Sequence, residues 1–127
     1  MKKEILHFTI QGELTELNTY TKKNRSSKFA GSKIKKEETD RVALEAKAAR
    51  IKPVVNYPVF IQYRWYSKDR RKDIDNVAFA KKFINDGLVV AGVLKDDSRK
   101  CVRGFSDYFF IDKKNPRVEV YIIFEDM

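Results

Sequence analysis

The chain has 127 residues, a formal net charge of +9 and 43% hydrophobic residues, enough for one domain around a modest core. Its 27 lysines and arginines against 18 acids favour a polyanionic partner, nucleic acid over a membrane surface, because no long basic amphipathic helix with an aromatic face is present. A single cysteine, Cys101, and a single histidine, His7, exclude an intramolecular disulfide, a cysteine zinc cluster and a two-histidine zinc site.

The first residues, Met1-Lys2-Lys3, begin like a secretory leader, but Glu4, His7 and Thr9 interrupt the apolar run that one requires. The longest apolar run, residues 88–94, is far too short to cross a bilayer. The expectation is a cytoplasmic protein with no membrane partner. Residues 5–10 alternate Leu6, Phe8 and Ile10 against Ile5, His7 and Thr9, which predicts a first strand. Residues 11–31 are polar and read as a long loop, of the kind that is functional or disordered in a compact domain. No acidic residue stands between Leu17 and Lys36, while Lys22, Lys23, Arg25, Lys28, Lys33, Lys35 and Lys36 all fall there. Ser32 is placed to cap a helix running to Arg50, with Ile34, Val42, Ala46 and Ala49 toward the core.

Tyr57-Pro58 opens a second strand, with Val59, Ile61, Tyr63 and Trp65 on one face and Phe60, Gln62, Arg64 and Tyr66 on the other. Residues 68–72 are a charged turn. A second helix begins at Asp75-Asn76, spaces Val77, Ala80, Ile84 and Leu88 for burial, and stops at Gly92. Asp96-Asp97-Ser98 is a turn, and residues 102–111 are a strand with Gly104 marking a bulge. Asn115-Pro116 leads into a last strand, with Val118, Val120, Ile122 and Phe124 on one face. The order β-α-β-α-β-β predicts a single α+β domain over residues 1–127, a mixed sheet with two helices.

Chemistry concentrates in the second half. Two close pairs of carboxylates, Asp73 with Asp75 and Asp96 with Asp97, accompany the basic run Lys68, Arg70, Arg71 and Lys72. Mutual repulsion disfavours that grouping unless cations lie between the carboxylates. Mg²⁺ takes oxygen ligands, usually one or two carboxylates plus substrate phosphate, and lysines and arginines suit a phosphodiester backbone. Alternate residues of an extended segment point to one side, so Asp73 and Asp75 can face one ion. Each aspartate alone is better explained as a helix cap or a turn residue. Those roles do not account for four carboxylates and a basic turn in one short unit. Lys82 follows Asp75 by nearly two helical turns, so an ammonium there can stabilise charge on a phosphorane or leaving oxygen. A solvated helix lysine fits that position equally well. Trp65, Tyr63 and Phe109 read as core. The reaction class indicated is metal-assisted phosphodiester cleavage.

The stretch Arg70-Arg71-Lys72-Asp73-Ile74-Asp75-Asn76, followed by Lys82, Asp86-Gly87-Leu88, Ala91-Gly92 and Asp96-Asp97, resembles the RusA-like Holliday-junction resolvases of phages and prophages. The pattern covers about a quarter of the chain densely; Asn18 and Tyr20 in the polar stretch and the basic helix fit loosely. The resemblance implies catalytic Asp73, Asp75, Asp97 and Lys82, with Asp96 as a lesser metal ligand. It implies Mg²⁺ or Mn²⁺, a small mixed α/β homodimer, and cleavage of four-way DNA junctions in recombination and repair. Lys22, Lys23, Arg25, Lys28, Lys68, Arg70, Arg71 and Lys72 are the expected DNA contacts. In one respect the chain departs: about three extra residues, nearly a helical turn, separate Asn76 from Lys82, which leaves Lys81 and Lys82 as alternatives. Gly87 stands where alanine is common and is expected to loosen the second helix. The competing reading is a non-catalytic module for DNA or structured RNA, with the carboxylates as caps and turns. A structural protein on ribosomal RNA fits less well, since nothing there requires the acidic pairs.

Overall fold

The computed structural model describes residues 2–126, with the backbone alone for Asp126. The elements are β1 (Lys2–Gln11), α1 (Leu17–Ser26), α2 (Lys28–Ala48), β2 (Val59–Ser67), α3 (Ile74–Ala78), α4 (Lys81–Val90), β3 (Val102–Ile111) and β4 (Arg117–Asp126). One mixed sheet runs in the order β1-β4-β2-β3, with β4 antiparallel to both β1 and β2, and β2 parallel to the edge strand β3. Parallel neighbours need a crossover, which α3 and α4 supply. The result is the single α+β domain that the sequence predicts. No helix among the described residues is long and apolar enough to cross a membrane.

Strand alternation translates directly into layers. Phe8 and Ile10, then Val59, Ile61, Tyr63 and Trp65, then Val118, Val120, Ile122 and Phe124 are all buried. They share one sheet face, with Ile61 opposite Ile122 and Tyr63 opposite Val120. Val42 and Ala46 of α2 and Phe83, Ile84 and Leu88 of α4 complete this core. The register of β2 with β3 slips between Val59–Phe60 and Val102–Gly104, beside the glycine expected to mark a bulge.

The helical half departs from expectation. Residues 17–26 are helix, not loop, and α1 buries none of its residues. Its contact with the core is one half-buried ring, Tyr20, set against Phe79 and Phe83, which is too little to write an apolar stripe. Ser27 caps α2 in place of Ser32, its Oγ accepting the Ala30 N–H at 2.9 Å. Ala49 lies exposed beyond the end of α2, and Ala43 takes the inward position. The second expected helix is two, broken at Phe79–Ala80. There the N–H groups of Ala80, Lys82 and Phe83 donate to carbonyls three residues back, at 3.2, 3.2 and 3.0 Å. Helix α4 ends just before Gly92, as its sequence suggests, with that glycine at φ +78°. Gly87 has a packing role that the sequence did not suggest. It is buried where α4 meets α2, and a Cβ there would stand 2.6 Å from Val42. The glycine is what lets the two helices touch.

Candidate active site

The chain leaves the sheet at Ser67 and turns through residues 68–73 into α3. Asp69 shapes this turn, its Oδ1 accepting the Arg71 N–H at 3.0 Å while Arg71 Nε lies 3.6 Å from Oδ2. Asp73 occupies the N-cap position of α3, and its carbonyl accepts the Val77 N–H at 3.1 Å. Its carboxylate makes no capping hydrogen bond. Asp75 accepts only the adjacent Asn76 N–H, at 2.9 Å. Both aspartate side chains are exposed, and neither forms an ion pair among the described residues. They line one open groove with Arg70, Phe109 and Ile111. The next residue turns the other way: Asn76 is buried, and its Oδ1 accepts the Asn18 N–H at 2.8 Å, tying α3 to the start of α1. The motif thus divides into two outward carboxylates and one inward amide.

The second acidic pair lies beyond α4. Asp96 is exposed and shapes the turn, its Oδ1 accepting the Asp97 N–H at 2.8 Å. Asp97 faces Lys82, whose Nζ is 3.4 Å from Asp97 Oδ2 and 3.2 Å from Asp86 Oδ1. Partial burial alone would lower the Lys82 pKa, but the hydrogen bonds and charges of Asp86 and Asp97 outweigh it and raise it. The group therefore stays an ammonium at any physiological pH, since the unfolded value is already about 10.4. The sequence argument set Lys82 in relation to Asp75; the partners that the structure gives it are Asp86 and Asp97. The wider expectation was that Asp73, Asp75 and Asp97, with Asp96, would share one ion. Among the described residues, no three Asp, Glu, His or Cys side chains come together as a metal site.

One feature of the site was not foreseen. Asp107, in the middle of β3, lies opposite Tyr63 and receives hydrogen bonds from Lys81 Nζ at 2.5 Å and Trp65 Nε1 at 2.8 Å. The Lys81 ammonium also lies 4.0 Å from the Phe105 ring centroid. Tyr63 donates to Asn85 Oδ1 at 2.5 Å. Burial pushes the Tyr63 phenol pKa up, the Asn85 hydrogen bond opposes this, and the charges of Asp107 and Asp97 add to the rise. Trp65 and Tyr63 are core, as their alternation requires, but each carries its polar tip to a partner. The signal for Asp107 was a lone carboxylate in the run Phe105-Ser106-Asp107-Tyr108-Phe109, on the same parity as two phenylalanines.

Lys22, Lys23, Arg25 and Lys28 lie on α1 and at its corner with α2, exposed and outside every ion pair among the described residues. Lys68, Arg70 and Arg71 are exposed on the turn. Lys72 differs, being half-buried with its Nζ 3.4 Å from Glu13 and 3.2 Å from Glu16. Its charge is spent on fixing the segment before α1. No protein-family model matches this chain, and no curated protein matches it.

Proposed function

We propose that this chain is a Mg²⁺- or Mn²⁺-dependent endodeoxyribonuclease of the RusA-like type, acting on branched DNA in the cytoplasm during recombination and repair. One observation carries the reading: Asp73 and Asp75 stand exposed in a groove beside Arg70, without an ion-pair partner among the described residues, in a chain of net charge +9. Two free carboxylates are the protein donor set that a hard divalent ion takes when phosphate completes its shell. A divalent ion held there supplies Lewis-acid polarisation of a scissile phosphate. Arg70 and Lys68 hold the flanking backbone as charge-assisted donors. Lys82, kept protonated and oriented by Asp86 and Asp97, offers an ammonium to charge that develops in the transition state. The tight turns at Phe79–Ala80 fall within the segment that is longer than the family pattern, and absorb it without lengthening one helix.

A homodimer suits a two-fold junction. Of the two sheet edges, β1 carries Lys2 and Lys3, whereas β3 exposes Phe105, Tyr108, Phe110 and Ile111, an apolar edge that a second copy could cover with its own. The pairing of Asp97 with Lys82 favours one alternative, a non-catalytic DNA-binding module in which the acids are structural. Incubation with synthetic four-way junction, fork and plain duplex, with and without Mg²⁺, separates the two. The nuclease nicks branched substrate only when metal is present. A chain that binds the junction and leaves it intact with both Mg²⁺ and Mn²⁺ is the binding module.

A further inference from the structure

We infer that Phe29 is an aromatic wedge that stacks against bases opened at the branch of a DNA junction; this rests on the branched-DNA reading above. Phe29 is 78% exposed, more than any other large hydrophobic side chain among the described residues. It projects from the corner between α1 and α2, and that corner is rigidly built. The Ser27 N–H donates to Lys23 O at 3.1 Å while the Ser27 side chain caps α2. Ser26 Oγ donates to the same Lys23 carbonyl at 2.8 Å. Just beyond, α1 and α2 sit close together, so that a Cβ on the buried Gly31 would meet the Asn24 side chain. The ring therefore stands on a capped helix corner, with no long loop to fold it back.

Its surroundings identify the occupant. Arg25 and Lys28 flank the corner, Lys33 lies one helical turn further on, and no acid falls between Leu17 and Lys36. An exposed phenylalanine ringed by cations is ill suited to an apolar protein groove, where each charge would have to be desolvated. It is well suited to nucleic acid, where phosphates neutralise the cations and apolar side chains enter between base steps at a few kcal/mol of unstacking per step. Paired duplex resists that entry. At a branch point the terminal pairs are already weakened, so the wedge favours branched over linear DNA.

The test uses the full chain and a four-way junction carrying 2-aminopurine at the branch, without divalent metal so that no cleavage intervenes. Binding of the wild-type chain raises the fluorescence as the base unstacks. Phe29→Ala loses that rise, keeps wild-type affinity for plain duplex, and binds the junction less than about tenfold more weakly, since phosphate contacts dominate affinity. Phe29→Trp restores the rise. An unchanged rise in Phe29→Ala overturns the inference, as does conversion of a wild-type dimer to a monomer by that variant in sedimentation. Cleavage assays on the same proteins with Mg²⁺ keep the two readings apart. A wild-type chain that opens the branch but never cuts retains the wedge and loses the nuclease, whereas cutting with no Phe29-dependent opening does the reverse.

Discussion

The groove holding Asp73 and Asp75 and the network around Asp107 draw on the same residue types and both border β3, yet they are built in opposite ways. In the network every polar tip is satisfied: Lys81 and Trp65 on Asp107, Tyr63 on Asn85. In the groove the carboxylates meet neither a lysine nor an arginine. A paired, half-buried charge is one the fold consumes, and removing its partner is destabilising. Unpaired, exposed carboxylates in a basic chain contribute nothing to folding and remain available to a cation and its phosphate. Lys81 and Lys82, adjacent in sequence and about 100° apart around α4, are both paired with carboxylates, but the Lys81–Asp107 pair is half-buried whereas Lys82 is exposed.

The largest expected effect is at the groove. Asp75→Asn should abolish metal-dependent cleavage, with the melting temperature unchanged and junction binding kept or strengthened as repulsion toward phosphate is removed. Cleavage at the wild-type rate by this variant would place the reaction elsewhere. Next come the two lysines, measured side by side. Lys82→Ala should lower the cleavage rate about a hundredfold or more, the ~3–4 kcal/mol of a lost oxyanion-type donor, without lowering the melting temperature. Lys81→Ala should destabilise by about 1–3 kcal/mol, because it leaves Asp107 short of a partner. The reverse pattern, with Lys81 setting the rate and Lys82 silent, would exchange their roles.

Occupied and free cations should separate in the same way in binding. Neutralising Lys22, Lys23, Arg25 and Lys28 together should flatten the dependence of log affinity on log salt, by at most about 0.9 per contact on B-form DNA. Lys72→Met should leave that slope alone, since Glu13 and Glu16 already engage its charge. The smallest effect is a pH dependence of stability. Burial tends to raise the Glu16 pKa, but hydrogen bonds from Thr19 and Lys72 and the Lys72 charge hold it below 4.5. A carboxylate with a depressed folded pKa contributes stability that is full above its unfolded value and lost as pH falls through the folded one. Urea melts below about pH 4.5 should therefore show a loss that Glu16→Gln reduces, with Glu119 and Asp112, whose pKa values are also lowered, supplying the rest. An identical acid limb in wild type and variant would dissociate Glu16 from acid unfolding.

The sheet was legible because burial on one face writes itself as alternation, as in Val59, Ile61, Tyr63 and Trp65. Helix α1 was not, since it reaches the core through Tyr20 alone among its half-buried apolar side chains, and the polar residues and lysines around that ring read as loop. Ser32 and Ser27 are equally good caps in sequence, and only the close seating of α1 on Gly31 selects the earlier one. Asp73, Asp75, Lys82 and Asp97 stood out because they are close in the chain. Asp107 did not, because its partner Lys81 is joined to it only by packing of α4 on the edge strand. Proximity across the fold is the information that a local pattern lacks.

Helix α2 is 21 residues long, about 30 Å from end to end, and it carries the basic corner at one end. Some 20 Å along from that corner, by the usual rise of about 1.5 Å per residue, Val42 seats in the notch left by Gly87. A notch with no spare room fixes the distance between two helices. Any side chain larger than hydrogen at position 87 would have to push α2 and α4 apart, and α4 is the helix that bears Lys82. The place of that lysine in the fold is thus set by a methyl group missing further along the same helix.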